Sequence, residues 1–198
     1  MNKKRPAILA RRAGRNQRVD ASTLTRVSAA MIPFYRVVAL NGEFARRWSR
    51  AVREADLATL IRMLRKVAPG TRNTGLSTNG IGYFVEFPLS RSTDFYVNAT
   101  SLIPGTAQFT FNTAAHRAIA RAILPLYRHL AGNPVFAGQL ARAINRRDTA
   151  AVRRLVRCWV PTKRLVVIRI DSVGIMLGFR FPFSRFTWFN EFFSFREG

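Results

Sequence analysis

The sequence predicts an α+β fold built by internal duplication: a unit of three helices followed by an antiparallel β-meander, present twice, with the two lobes related by a pseudo-two-fold axis. Three observations carry this. First, Ile32-Pro33-Phe34-Tyr35-Arg36 returns 92 residues later as Leu124-Pro125-Leu126-Tyr127-Arg128, and Asn41, Phe44 and Ala45 return as Asn133, Phe136 and Ala137. Residues 20–87 align with 112–179 without a gap and about a quarter of the positions are identical, more than composition alone supplies. Second, the hydrophobic period of each copy changes from 3.6 to 2 partway along. Third, the punctuation recurs: Asp56 and Asp148 precede a helical stretch in each copy, and Pro69 and Pro161 follow it. Beyond Phe87 the match resumes after a two-residue shift, Phe87-Pro88 and Ser90-Arg91 corresponding to Phe181-Pro182 and Ser184-Arg185.

These marks divide the chain into a basic arm at 1–19, a first lobe at 20–100, a connecting segment at 101–111 and a second lobe at 112–198. The arm carries Lys3, Lys4, Arg5, Arg11, Arg12 and Arg15 with no acid. Such a segment buries too little apolar surface to offset its ordering entropy, so it is expected to be mobile until an anion orders it. Asp20 is a plausible N-cap, and Leu24, Val27, Met31, Phe34, Tyr35 and Val38 follow at helical spacing to about Leu40. Pro33 implies a kink or break near Met31 or Ile32, and Pro125 repeats it.

Asn41 caps a second helix to about Arg53, and Asn133-Pro134 opens its copy with a proline at the first helical position. The third helix starts at Asp56 with Leu57, Leu60, Ile61, Leu64 and Val67 on one stripe. Its copy starts at Asp148 with Val152, Leu155, Val156 and Trp159 inside, and Cys158 on this apolar helix is expected to be a buried thiol. Leu76–Thr78, Asn79-Gly80 and Ile81–Phe87 read as a hairpin with a two-residue turn. Lys163–Ile170, a turn at 171–174 and Ile175–Phe181 read as another. Further strands are expected at Phe95–Asn98, Gln108–Phe111 and Phe186–Phe195, and a joining of the two sheets is compatible with this pattern.

Charge is the strongest functional signal. There are 33 Lys and Arg against 10 Asp and Glu, a formal net charge of +23. All but Lys3, Lys4, Lys66 and Lys163 are Arg, whose planar fork matches phosphate. A chain with this much like charge is relieved by a polyanion. Under the 92-residue offset Arg50, Arg62 and Arg65 coincide with Arg142, Arg154 and Arg157, so both lobes present cations in equivalent places. These six, with Lys3, Lys4, Arg5, Arg11, Arg12 and Arg15 of the arm, are the expected phosphate contacts.

The residue types that catalysis needs are scarce. Asp20, Asp56 and Asp148 fall at helix starts, Asp171 falls in a turn, and His116 and His129 lie too far apart to share one helix face as ligands. There is no glycine-rich phosphate loop, no Gly-x-Ser-x-Gly elbow and no zinc spacing, so no enzyme activity, metal or cofactor is expected. The segment 79–87 has the look of an RNA-binding strand but lacks its basic first and aromatic third residues, so it reads as a plain hairpin. The aromatic run from Phe179 to Phe195 reads as core, because Phe179, Phe181 and Phe183 alternate.

The function expected is therefore a non-enzymatic protein that binds nucleic acid, DNA or RNA, through phosphates with low sequence specificity. The alternative is a structural subunit of a larger assembly, such as a viral or spore shell or a ribonucleoprotein particle, self-associating with the arm threaded between neighbours. A membrane surface fits least. The apolar run Pro6–Ala10 is too short for a secretory signal and no run approaches a membrane span, so the expected location is intracellular or within a particle. An acid-free basic leader is also compatible with import into an organelle.

Overall fold

The computed structural model describes residues 18–89, 94–171 and 173–196. Among these residues the fold is α+β, with six α-helices and one six-stranded antiparallel sheet. The first half runs α1 (Ala21–Leu40), α2 (Gly42–Arg53), α3 (Leu57–Val67), a 3-10 turn at Pro69–Thr71, then β1 (Gly75–Thr78), β2 (Gly82–Pro88) and β3 (Asp94–Ser101). The second runs α4 (Thr113–Gly132), α5 (Pro134–Asn145), α6 (Thr149–Trp159), β4 (Leu165–Asp171), β5 (Gly174–Arg180) and β6 (Thr187–Arg196). The bounds of α1, α2, α3 and β2 recur 92 residues later as those of α4, α5, α6 and β5.

Local chemistry sets these bounds. Every α-helix begins on an Asn or Asp whose side chain accepts a backbone N–H three residues on: Asp20 from Thr23, Asn41 from Phe44, Asp56 from Thr59, and Asn112, Asn133 and Asp148 from Ala115, Phe136 and Ala151. The Thr59 bonds hold the Asp56 carboxyl below its usual range. Helices α2 and α5 end alike. Ala55 and Arg147 are left-handed, with φ of 52° and 54°. The next amides, of Asp56 and Asp148, donate back to Ala51 O and Ala143 O, each at 2.9 Å. This closes a Schellman motif without its usual glycine. Each of these Asp residues thus ends one helix and starts the next, which fixes the corner between α2 and α3 and between α5 and α6.

Helices α1 and α4 run unbroken through Pro33 and Pro125, so the expected break does not occur. Burial on both sides, at Met31, Phe34 and Tyr35 and at Ile123, Leu126 and Tyr127, holds each helix together despite the missing hydrogen bond. The turn after β1 is also longer than expected. Thr78 pairs with Tyr83, leaving four residues between them, and of Asn79-Gly80 only Gly80 has positive φ, 77°. Residues 108–111 form no strand; Phe109 turns back with φ of 47° and sits over Gly80. On α3, Met63 replaces Leu57 in the buried stripe, and Leu57 is exposed. Residues 1–17, and with them most of the expected arm, lie outside the described residues. Val19 is buried and exchanges two hydrogen bonds with the Asn145 side chain on α5, so the arm as expected is one residue too long.

The sheet order is β1-β2-β3-β6-β5-β4: two meanders joined antiparallel at β3 and β6. At the join Asn98 lies opposite Phe192, Ala99 opposite Glu191 and Thr100 opposite Asn190. Each second strand opens on a glycine, because a Cβ at Gly82 would meet Ser101 and one at Gly174 would meet Phe192 O. One sheet face packs on the helices. Tyr83, Val85, Phe87, Tyr96, Ile175, Leu177, Phe179, Trp188 and Phe192 join Leu24, Met31, Phe34, Trp48, Leu126 and Leu140 in a single core. On the other face Val97, Ala99 and Phe193, with Phe84 and Phe95, form a smaller apolar cluster.

A closed polar network lies where α1 and α4 meet the join. Tyr35 OH donates to Asn98 Oδ1 (2.7 Å), and Tyr127 OH donates to Asn190 Oδ1 (2.9 Å). The amides return the bonds across the centre: Asn98 Nδ2 to Tyr127 OH (2.6 Å) and Asn190 Nδ2 to Tyr35 OH (2.9 Å). The two tyrosine rings meet edge to face at 5.2 Å. Burial raises both tyrosine pKa values, so both hydroxyls stay protonated and keep donating. Asn98 and Asn190 also reach Glu191 O and Ala99 O on the neighbouring strands, which ties the strand register to the crossing of the helices.

Candidate polyanion-binding surface

Charge is segregated between the two layers. Arg46, Arg47 and Arg50 on α2, Arg62, Arg65 and Lys66 on α3, Arg121 and Arg128 on α4, Arg142 on α5 and Arg153, Arg154 and Arg157 on α6 are all exposed. The one acid inside these helices is Glu43; Asp20, Glu54, Asp56 and Asp148 sit at helix ends. The strands instead hold Glu86, Asp94, Asp171 and Glu191 against Arg169, Arg180 and Arg196. The amphipathic pattern explains this: the helices give one stripe to the core and their other faces to solvent, and almost every charged position on those faces is Arg.

The arginines divide into two kinds. Some use their guanidinium to bind backbone carbonyls: Arg26 to Pro88 O, Arg53 to Phe111 O, and Arg117 and Arg121 to Ala39 O. Arg157, expected as a phosphate contact, belongs here, since it bridges α6 to Thr162 O (3.2 Å) and Leu165 O (2.7 Å) at the start of β4. Arg62 donates to Thr59 Oγ1 within its own helix. By contrast Arg50, Arg65, Arg142 and Arg154 are exposed and make no side-chain hydrogen bond among the described residues. Lys3, Lys4, Arg5, Arg11, Arg12 and Arg15 lie outside the described residues.

Two of the expected residues are brought together. Arg142 and Arg154 line a cleft of about 320 Å³ between α5 and α6, with Gln139, Arg146, Asp148 and Cys158. Arg146, the C-cap of α5, was not identifiable from the duplicated pattern, because the residue 92 positions earlier is Glu54. Cys158 is exposed at this cleft rather than buried, because it follows the Arg154 side of α6 and not the Val152–Val156 stripe. Asn145, which holds Val19, immediately precedes Arg146 in the chain.

The other singled-out groups are structural. Tyr83, Val85 and Phe87 face the core, so β2 offers no pair of exposed rings. Phe179, Phe181, Trp188 and Phe192 are buried, whereas Phe183 is 56% exposed and stacks on Phe181 at 5.2 Å. His116 is buried with Nε2 2.9 Å from Tyr83 OH, and His129 stacks on Trp159 at 3.7 Å. Among the described residues no cluster of His, Cys, Asp and Glu could hold a metal ion, and no helix is long and apolar enough to cross a membrane. No family model, curated protein or solved structure matches the chain.

Proposed function

We propose that this chain is a non-enzymatic nucleic-acid-binding protein that grips the phosphate backbone with its helical layer. The observation that carries the reading is the segregation of charge: exposed arginines cover the helices, inside which Glu43 is the one acid, and three of them line the cleft between α5 and α6 beside Asp148. Arginines left without partners on one face have most to gain from phosphates, and a surface of this kind binds through charge with little choice of sequence. The exposed cations of α2 and α3 extend the surface into the first half.

We further infer that the two halves are copies of one unit, paired about a pseudo-two-fold axis through the Ala99–Glu191 pair. This reading is supported by the matching helix bounds, the crossed Tyr–Asn bonds and the fact that Ala99 and Glu191 are themselves 92 residues apart. It explains why the cationic surface spans both halves.

Binding of labelled duplex DNA and single-stranded RNA, followed by fluorescence anisotropy at rising salt, tests the function. With six or more phosphate contacts the affinity should fall by about a thousandfold between roughly 50 and 200 mM salt and vary little with sequence. Absence of binding at the lowest salt contradicts the proposal. Large particles that co-purify and survive nuclease would instead assign the chain to a self-assembling shell.

A further inference from the structure

We infer a discrete site for a phosphomonoester at the corner between α1 and α2, formed by Arg46, Arg117 and Arg121 around Gly42. Its nucleic-acid form, a terminal phosphate, rests on the function proposed above; its free form, phosphate or a small phosphate ester, does not.

The geometry is specific. Arg117 Nη2 and Arg121 Nη1, one turn apart on α4, both donate to Ala39 O, each at 3.2 Å. Two like charges are therefore drawn onto one neutral oxygen. A third arrives from α2: a Cβ placed on Gly42 would lie 3.3 Å from Arg117 Nη1 and 3.5 Å from Arg46 Nη1. Two guanidiniums thus pack over the bare backbone of Gly42, closely enough that a side chain there would crowd them, and Arg121 shares the Ala39 O anchor of Arg117. Arg117 Nε is buried with no hydrogen-bond partner, so this side chain still holds donors that no protein group accepts. Glu43, the carboxylate of the same turn, is exposed and takes no part in these bonds.

Three cations held this close repel one another unless an anion joins them. A phosphomonoester suits the position, since it carries up to two charges and three acceptor oxygens for forked donors. The missing side chain at Gly42 is what lets the Arg117 and Arg46 guanidiniums close on the backbone from two elements. The second half lacks the arrangement. Thr25 takes the place of Arg117 and donates to Leu130 O, Ala29 takes that of Arg121, and Gly138 that of Arg46. The site is therefore not a by-product of the repeated pattern.

The test uses the full chain and two variants, Arg46→Gln and Gly42→Ala. Arg46→Gln touches no hydrogen bond seen in the fold, whereas the methyl of Gly42→Ala, at a position where alanine also favours the helix, presses on Arg117 Nη1 and shifts that guanidinium. Two probes are measured at constant ionic strength: inorganic phosphate, by thermal shift, and a short single-stranded oligonucleotide ending in either a 5′-phosphate or a 5′-hydroxyl, by anisotropy. The native chain should prefer the 5′-phosphoryl end by about tenfold, and each variant should lose the preference; Arg46→Gln, which also removes one cation of the helical surface, should weaken both ends alike beyond that. Stabilisation by inorganic phosphate that both variants lose, without a preference for the 5′ end, assigns the site to a free phosphate or phosphate ester. The same phosphate effect in a chain that binds no oligonucleotide leaves the site standing and overturns the nucleic-acid reading. Equal binding of both ends with no response to phosphate overturns the site, as does a preference that survives in both variants.

Discussion

Lowering the pH from 7 to 4 should remove about 3 kcal/mol of stability through His116 alone. The ring is fully buried, with Phe34, Tyr83 and Phe111 around it. Burial lowers its pKa to about 3 from an ordinary value of 6.5. Tyr83, whose own pKa burial raises well above normal, stays protonated and shares a hydrogen bond with Nε2 of the neutral ring. Below pH 6.5 the unfolded chain takes up a proton that the folded chain refuses, so stability is whole above that value and is lost as the pH falls towards 3. The comparison variant is His116→Leu with Tyr83→Phe, which removes both polar partners together. The positions 92 residues away, Leu24 and Ile175, are already such an apolar pair. Urea unfolding of both proteins across this range should show the acid slope of the native chain reduced in the variant. An unchanged slope would mean that His116 is charged or solvated in the fold.

Asn98→Leu should cost about 3–5 kcal/mol, near the upper end for a single substitution, although the shape of the side chain is nearly kept. It weakens three buried groups at once: Tyr35 OH keeps only Thr100 Oγ1, at 3.3 Å, in place of Asn98 Oδ1, and Tyr127 OH and Glu191 O each lose one donor. Replacing all four members, with Tyr35→Phe, Tyr127→Phe, Asn98→Leu and Asn190→Leu, should cost less than the sum of the single changes, because it leaves fewer polar groups stranded. The check is urea unfolding of the singles and the quadruple variant. Additive losses would show that the four side chains act separately and that no network couples the helices to the sheet.

Much of the fold was legible because its local signals are strong and occur twice. Asp20, Asn41, Asp56, Asn112, Asn133 and Asp148 mark every α-helix start, and the change of period marks the strands. What the sequence misled on was decided by tertiary contact. Pro33 and Pro125 look like breakers, but burial on either side overrides them. Gln108–Phe111 has strand-like residues but no neighbouring strand to pair with. Asn98 and Asn190 look like ordinary polar residues in strands until the crossing of α1 over α4 brings the two tyrosines onto them.

The candidate site was less legible. The repeat offset singled out arginines that occur in both halves, yet Arg157 is held by carbonyls, whereas Arg146, Arg46, Arg117 and Arg121 fall where the halves differ. A recurring pattern identifies what the two halves share. The guanidiniums that converge in space are partly those that only one half has.

The most direct test of the central claim is the salt dependence of DNA binding in a variant with Arg62, Arg65, Arg142 and Arg154 changed to Gln. Arg157 is left in place because it links α6 to β4. The four positions are exposed, so the fold should be little affected. If each side chain neutralises one phosphate of duplex DNA, the slope of log affinity against log salt should flatten by about three to four units. An unchanged slope in a normally folded variant would contradict the account and leave these arginines as solvated surface.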